Sequence, residues 1–243
     1  MSETLNYQDL ARRFGLQPIP ESVLRLTQIL SRQDADIEEV ASCISKDVVL
    51  TKRLLRAANP RAKTESEYTI ESVDEALMRN GLGCALLLAM SSLLAEALTR
   101  TFQTMLGLKL IPTEPQKVLP LEGQCVLGTI DFSGRAAGSV FLRLSLDSAK
   151  AVAGQILGVD PQQLNDVVEI NDTTGELLNI MTGNFKSNLC DAGLGCRLEP
   201  PFVNQTSASS HLNLSRGSWE HMAFSTGKIA LFIDLKVNPW NGD

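Results

Sequence analysis

The sequence is poor in histidine, and this scarcity excludes the metal centres that several classes of hydrolase use. Its 243 residues include only two histidines, His211 and His221, in a region with the alternation of strands. A histidine-rich metal or phosphohydrolase centre cannot be built from two such residues. The five cysteines form no CxxC pair, so we expect neither a disulfide framework nor a tetrahedral zinc site, and predict small apolar side chains instead.

The chain also lacks a surplus of positive charge and a long apolar run. The net charge of −6 argues against a broad nucleic-acid interface, although it leaves room for a local patch. The most apolar run, LGCALLLAM at 82–90, is too short to span a bilayer and is predicted to be a buried helix. The N-terminus has no apolar core of a signal peptide, so we expect a cytoplasmic protein without a membrane anchor.

The first third of the chain has the apolar spacing of helices. Helices are predicted in four segments: 20–30, 36–44, 46–59 and 69–81. Asp36, followed by Glu39 three residues later, has the pattern of a capping box. The sequence therefore predicts an N-terminal helical bundle.

The second part of the chain mixes helices with strand-like runs. Helices are predicted over 84–106, 147–157 and 164–191, and strands over 108–111, 125–132, 138–146 and in four runs at 196–203, 210–215, 219–226 and 228–237. This order is typical of an α+β fold with an antiparallel sheet covered by helices. We divide the chain into a helical region, 1–90, and an α+β domain, 91–243.

The predicted helix over 164–191 carries two polar side chains that form a candidate site. Glu176 and Asn179 are three positions apart and project side by side from a face other than the apolar stripe. Gly183 lies one turn beyond them, and a glycine inside a helix costs roughly 0.5–1 kcal/mol relative to alanine. Either something must approach the backbone there, or the glycine lets the helix sit close to the sheet. A solvated polar edge is the alternative to a site.

The stretch DTTGELLNIMTGNFKSNL around this pair resembles the CheC/CheX/FliY family of chemotaxis phosphatases. The family signature is an acidic or serine residue, three positions, a glutamate, two positions, an asparagine, and a proline some twenty residues later. Asp172, Glu176 and Asn179 match this signature in register, while Pro200 and Pro201 fall one or two residues short of the usual spacing. GTIDFSGRAAGSVFLRLS and AKAVAGQILG resemble the hairpin and the next helix of CheX-like domains, so the resemblance covers the chain from about residue 90 onward.

The resemblance implies a CheX-like domain that hydrolyses the aspartyl phosphate of a response-regulator receiver domain of the CheY type. It implies that Asn179 orients the attacking water and that Glu176 pairs with a lysine of the receiver. Asp172, Gly183 and Pro201 are carried over as peripheral motif residues. No cofactor of its own is implied, since Mg²⁺ is expected on the partner receiver. The family also implies a homodimer, in which the sheet often continues across the two copies.

Two further interpretations stay open beside this one. A non-catalytic adaptor would keep the fold for dimerisation or for docking of a receiver. Glu96 and Thr99 form an E-x-x-T echo of the motif in the helix over 84–106, and some relatives carry two active helices. Threonine lacks the carboxamide, so we do not expect a second working site there.

The helical region resembles a different family. LQPIPESVLRLTQILSRQDADIEEVASCISKDVVLTKRLLRAANP, followed by TIESVDEALMRNGLG, is similar to the beginning of HDOD domains, which are histidine-poor relatives of HD phosphohydrolases in bacterial signalling proteins. A full HDOD domain is about twice this long. Because the HD pair is missing, we expect a scaffold for partner binding and no hydrolysis.

The helical region also contains the densest basic cluster of the chain. Its members are Lys52, Arg53, Arg56, Arg61 and Lys63. Such a cluster is either a solvated helix face or a patch for phosphate or a partner. A helix-turn-helix over 36–58 with a basic second helix would leave DNA binding open, although nucleic acid is not the expected partner.

Overall fold

The computed structural model describes residues 19–114, 123–207 and 219–238. The chain divides into two compact units, Met1–Glu96 and Ala97–Asp243. The predicted strand over 210–215 and His211 lie outside the described residues.

The first unit is helical throughout its described elements. They are α1 (Glu21–Leu30), α2 (Ile37–Ser45), α3 (Val48–Ala58), a short 3-10 helix (Glu65–Glu67) and the first part of α4 (Val73–Leu106). Leu26, Ile44 and Leu54 are fully buried, one from each of the first three helices. Their apolar stripes face one another, as the helical spacing predicts.

The start of α3 is fixed by a capped N-terminus, whereas the capping box predicted for α2 is wrong. Asp47 accepts hydrogen bonds from the backbone N–H groups of Val49 at 2.8 Å and Leu50 at 3.0 Å. Asp36 does occupy the N-cap position of α2, but its side chain accepts no capping hydrogen bond. Glu39 bonds Arg32 instead, because that guanidinium is a stronger partner than a backbone amide.

The buried amide of Asn59 fastens the connection between α3 and α4. Its Oδ1 accepts from the backbone N–H groups of Thr69 at 3.0 Å and Ile70 at 3.1 Å. Its Nδ2 donates to the carbonyls of Leu55 and Ile70, at 2.8 and 2.9 Å. Asn59 thus ends α3, as predicted, and satisfies the backbone of the loop that follows.

Helix α4 is the longest element, with 34 residues and a break near its start. Gly81 has a φ of 73°, a left-handed conformation that favours glycine, so two helices join there. By length and composition α4 could cross a membrane, but 61% of its most apolar window, whose mean hydropathy is 1.8, is buried inside the protein. The predicted buried helix over 82–90 is therefore part of a longer core helix.

The second unit contains an antiparallel sheet. Its strands are β1 (Ile111–Thr113), β2 (Gln124–Gly134), β3 (Gly138–Ser145), β4 (Cys196–Leu198), β5 (Phe202–Ser207), β6 (Trp219–Ser225) and β7 (Ala230–Val237). The order across the sheet is β1-β6-β7-β3-β2-β4, and β5 also pairs with β2. Pro200 and Pro201 divide the predicted strand over 196–203 into β4 and β5, since proline cannot donate to the ladder.

Two helices pack on this sheet, α5 (Leu146–Leu157) and α6 (Val167–Asp191). The sheet residues on the face beneath them include the fully buried Val126, Val140 and Leu142, and along β3 buried residues alternate with half-buried ones. Gly128 on β2 permits a close approach of α6: a Cβ there would lie 2.8 Å from Leu178 Cδ2. The predicted α+β fold, a helical bundle followed by an antiparallel sheet covered by helices, is confirmed.

Candidate functional site

Helix α6 is anchored at its start and along one buried face. The Asp166 side chain accepts from the Val168 N–H at 2.8 Å and caps the first turn. The buried apolar residues of the helix are Ile170, Leu177, Leu178, Met181, Phe185 and Leu189. Phe185 meets Phe132 of β2 edge to face, with ring centroids 5.8 Å apart. A helix held in this way is a rigid support for side chains on its opposite face.

The two candidate residues lie on that opposite face and are exposed to solvent. Glu176 and Asn179 are both exposed, and so is Asp172 one turn earlier. The positions 176 and 179 lie about 5–6 Å apart between Cβ atoms, as expected for an i, i+3 pair. Within the described part of the chain, neither side chain forms a hydrogen bond or an ion pair. A carboxylate and a carboxamide are thus presented together, without internal partners, to whatever docks on the helix.

Gly183 lies on the same helix face, one turn beyond Asn179, and has no side chain. A Cβ at Gly183 would meet nothing within 4 Å, so the glycine is not needed for packing against the sheet. The close approach between helix and sheet occurs instead at Gly128, on the other side of α6. This geometry does not support the explanation that Gly183 lets the helix sit close to the sheet.

A groove runs beside Glu176, between the first half of α6 and the segment that leads into β5. Its volume is about 490 Å³, and its lining residues are Asn171, Asp172, Gly175, Glu176, Pro201, Phe202 and Val203. A Cβ at Gly175 would lie 3.5 Å from Val203 Cγ2 and 4.0 Å from Pro201 Cγ, so the helix backbone lies against this segment. The fold therefore brings Asp172, Glu176 and Pro201 of the predicted motif together.

Four residues of this groove were not singled out from the sequence: Asn171, Gly175, Phe202 and Val203. Asn171 precedes Asp172 in the motif stretch, and Phe202 follows the two prolines as a large apolar residue that is 66% exposed. An apolar residue at the start of a strand is ordinarily predicted to be buried. The signal that could have identified Phe202 is its position directly after Pro200 and Pro201, because prolines are confined to edge strands and their ends.

The E-x-x-T echo on α4 does not form a comparable face. Glu96 and Thr99 are both half-buried, and each has an interaction partner. Nearby, burial lowers the pKa of Arg100 to about 10. Glu96 and Thr99 are therefore less exposed than Glu176 and Asn179 on α6.

Two residues of the basic cluster, Lys52 and Arg53, form contacts within the first unit. The Arg53 guanidinium donates to Ser91 Oγ at 2.6 Å, Ser92 Oγ at 2.9 Å and the Leu88 carbonyl at 3.3 Å, which ties α3 to α4. Lys52 pairs with Glu65 at 3.3 Å. These contacts favour a structural role for two of the five cations that the sequence grouped together.

The one described histidine belongs to a charge network on the sheet. Asp234, which is fully buried, accepts from Arg143 Nη2 at 2.8 Å and bonds His221 Nδ1 at 2.8 Å. The Arg143 guanidinium also lies 5.0 Å from the centroid of the Phe232 ring. Both oxygens of Asp234 are therefore satisfied within the protein, which is the state that a buried carboxylate needs.

The cysteines form no disulfide bonds, and the described residues contain no candidate metal site. All five cysteines are free, and burial raises the pKa of the Cys43, Cys125 and Cys196 thiols. Cys190 is exposed at the end of α6, whereas Cys43, Cys125 and Cys196 are buried. Among the described residues, no group of three or more histidine, cysteine or acidic side chains could hold a metal ion.

Comparisons with known families match both parts of the chain. Residues 126–216 match the family model of the chemotaxis phosphatase CheX, and residues 16–112 match that of the HDOD domain. Both resemblances seen in the sequence are thereby confirmed. The HDOD match extends across α4 and β1, whereas the first compact unit ends at Glu96. The division at residue 90 stays a prediction.

Solved structures of CheX and CheC-like proteins are similar in fold to this chain. A CheX from Vibrio vulnificus is 25% identical with a TM-score of 0.53, and the match covers 61% of this chain and 96% of that one. A CheC-like superfamily protein from Shewanella sp. PV-4 is 23% identical, with 61% and 97% covered and a TM-score of 0.53. The CheX–CheY–BeF3–Mg²⁺ complex from Borrelia burgdorferi is 18% identical, with 61% and 97% covered and a TM-score of 0.50. The search of curated proteins returned no match.

Proposed function

We propose that the second unit binds the phosphorylated receiver domain of a response regulator and hydrolyses its aspartyl phosphate. The observation that carries this proposal is the exposure of Glu176 and Asn179 side by side on a rigid helix, with no partner in the described protein. The match to the chemotaxis phosphatase CheX supports the reaction class. The Borrelia burgdorferi relative was solved with CheY, which supports a receiver as the partner.

The reaction requires the phosphatase mainly to position the attacking water. An acyl phosphate is already reactive, and the receiver supplies Mg²⁺ and a lysine. The water oxygen bonds to phosphorus as the bond to the aspartyl oxygen breaks, which releases inorganic phosphate and restores the carboxylate. Orientation and electrostatic stabilisation account for most of the acceleration in such transfers. Glu176 and Asn179 are therefore assigned to positioning and not to nucleophilic attack.

Asn179 is assigned the role of orienting the water. Its carboxamide oxygen accepts a hydrogen bond from the water, while its NH2 group donates to phosphoryl oxygens. Because the amide makes no hydrogen bond within the described protein, no internal bond has to break before it enters the receiver's site. An alanine at this position could perform neither function.

Glu176 is assigned the contact with the receiver's lysine. A carboxylate that pairs with this lysine fixes the register of the complex and draws the cation partly away from the phosphate. Asp172 and Pro201 are placed at the periphery, beside Glu176 in the groove. Gly183 is placed where the receiver approaches the helix backbone, since its missing side chain leaves open space.

The rest of the chain is assigned a supporting part. The HDOD-like region, residues 1–90, is proposed to bind a partner without hydrolysing a substrate, and residues 91–243 form the CheX-like domain. A cytoplasmic location is part of the proposal, because the receiver partner is a cytoplasmic signalling domain. A homodimer is also part of it, because the family resemblance implies one. Sedimentation at several protein concentrations measures the dimer directly.

The proposal is tested by the loss of phosphate from phosphorylated receivers of the host. Receivers that bind the full chain are selected first, and their dephosphorylation is followed with and without the protein. Wild type is expected to accelerate the loss, and Asn179→Ala to abolish the acceleration with its circular dichroism unchanged. Asn165→Ala is the matched control, because this exposed amide just before the N-cap of α6 accepts a hydrogen bond from Lys150 Nζ at 3.3 Å and lies outside the face of Glu176 and Asn179. If a receiver binds but loses phosphate no faster than it does alone, the phosphatase assignment is wrong and the adaptor interpretation remains.

A further inference from the structure

The groove beside Glu176 has features that the catalytic pair does not use. It lies between the first half of α6 and the entry to β5, and Gly175 forms its floor where the helix meets Pro201 and Val203. A receiver that reaches Glu176 and Asn179 must also pass over this groove. The surface of the groove therefore restricts which receivers can dock.

The charge of the groove is of one sign. Asp172 and Glu176 are its charged lining residues, and both are exposed. None of the described residues that line it is a lysine, arginine or histidine. A concave surface with carboxylates alone attracts cationic side chains and repels acidic ones.

The Asn171 side chain also lines the groove, but its Oδ1 is out of contact with solvent and therefore out of reach of a docking group. Lysine and arginine carry only donors at their tips, so their side chains match the two exposed carboxylates of the groove.

The rim of the groove is apolar. Phe202 is 66% exposed and stands beside Pro201 at the start of the edge strand β5. Long cationic side chains lay their methylene stems along apolar surface while their charged ends stay polar. A single amphipathic side chain can thus contact the rim with its stem and the carboxylates with its tip.

We propose that this groove binds a second cationic residue of the receiver, a lysine or arginine distinct from the lysine assigned to Glu176. Its charged tip pairs with Asp172, and its stem packs on Phe202 and Pro201. This inference rests on the proposed function, because the receiver is the occupant. It makes Asp172 and Phe202 residues that determine which receivers are recognised.

Binding of a receiver that cannot turn over separates this inference from catalysis. The probe is the best-binding host receiver, loaded with BeF3⁻ and Mg²⁺, and its Kd for the full chain is measured over a series of NaCl concentrations. Phe202→Ala is expected to raise Kd about tenfold, as for a truncated apolar anchor of an interface. Asp172→Asn is expected to raise Kd about two- to fivefold, the effect of one exposed ion pair, and to weaken the salt dependence.

Two matched variants serve as controls. Asp191→Asn removes an exposed carboxylate at the far end of the same helix, about 28 Å from Asp172 by the rise of 1.5 Å per residue. Ile111→Ala truncates an apolar residue that is 59% exposed on the opposite edge strand, β1. Both controls are expected to bind the probe as wild type does.

The outcomes distinguish the groove from the proposed function. If wild type binds and dephosphorylates the receiver but Asp172→Asn and Phe202→Ala both keep the wild-type Kd, the groove inference is overturned and the phosphatase stands. If Phe202→Ala changes the oligomeric state and not the Kd, Phe202 belongs to an interface between copies, which also overturns it. If no receiver binds wild type, both proposals fall.

Discussion

Two glycines near α6 have opposite surroundings, although sequence alone cannot tell them apart. A Cβ at Gly128 would come within 2.8 Å of Leu178, whereas a Cβ at Gly183 would meet nothing within 4 Å. Gly128 is needed because α6 sits close to β2. Gly183 lowers helix stability without such a reason, which agrees with a face kept open for the receiver.

Substitution at these glycines is expected to have effects of opposite sign. Gly128→Val adds three carbon atoms where there is no room and should lower the free energy of unfolding by about 1–3 kcal/mol. Gly183→Ala should raise it by roughly 0.5–1 kcal/mol, since alanine favours the helix. Urea unfolding followed by tryptophan fluorescence measures both. A destabilising Gly183→Ala would show that its backbone is packed after all.

Among the site residues, sequence reasoning located the pair but not its surroundings. The helical period fixes which side chains share a face with Glu176, because that requires only local geometry. Phe202 enters the groove through the pairing of β5 with β2, which joins residues distant in sequence. The sequence could not indicate which polar atom would be left without a partner, since that depends on packing.

At the scale of elements, the N-terminus of α3 combines a cap with a perturbed carboxyl. Burial tends to raise the pKa of Asp47, but hydrogen bonds from Ser22 and from the Leu50 and Val49 amides outweigh it, so the pKa lies below the ordinary value of 3.8. A depressed folded-state pKa means that the unfolded chain binds more protons. The carboxylate therefore stabilises the fold above pH 3.8, and this contribution is lost as the pH falls through the folded-state value.

Asp47→Asn should make the first unit less sensitive to acid. Asparagine retains the cap but cannot titrate, so stability between pH 3.8 and more acidic conditions should fall less steeply than in wild type. Asp36→Asn is the control, because it makes the same charge change at an N-cap without a side-chain hydrogen bond. Amide hydrogen exchange in α1, α2 and α3 measures the effect. Equal acid sensitivity in wild type and Asp47→Asn would contradict the assignment.

The elements themselves were predictable to differing degrees. The four helical segments and the β2–β3 hairpin follow from apolar period and turn residues, and the structure has them. The capping-box prediction was wrong because Glu39 bonds Arg32, which lies outside the four-residue pattern of a capping box. The break between β4 and β5 was missed because alternation was weighed above the two prolines, which cannot join a ladder.

At the scale of the whole molecule, the two compact units predict two unfolding steps. Leu54 is fully buried in the first unit, and Leu54→Ala should lower that unit's free energy of unfolding by about 2–5 kcal/mol. Trp219 lies in β6 of the second unit, so its fluorescence reports on that unit. The expected result is faster hydrogen exchange in α3 with an unchanged fluorescence midpoint.

The control for this prediction is Val49→Ala on the same helix. Val49 is 65% exposed, so its truncation should leave both probes nearly unchanged. If Leu54→Ala shifts the tryptophan midpoint as well, the two units unfold together. The division of the chain into a helical and a CheX-like domain would then describe its sequence but not its energetics.

The central claim is tested most directly by single-turnover dephosphorylation with the protein in saturating excess over a phosphorylated receiver. Under this condition the rate reports chemistry and not binding. The account predicts that wild type accelerates phosphate loss, that Asn165→Ala does the same, and that Asn179→Ala leaves the receiver at its own spontaneous rate while still bound. An Asn179→Ala protein that accelerates the loss as wild type does would contradict it.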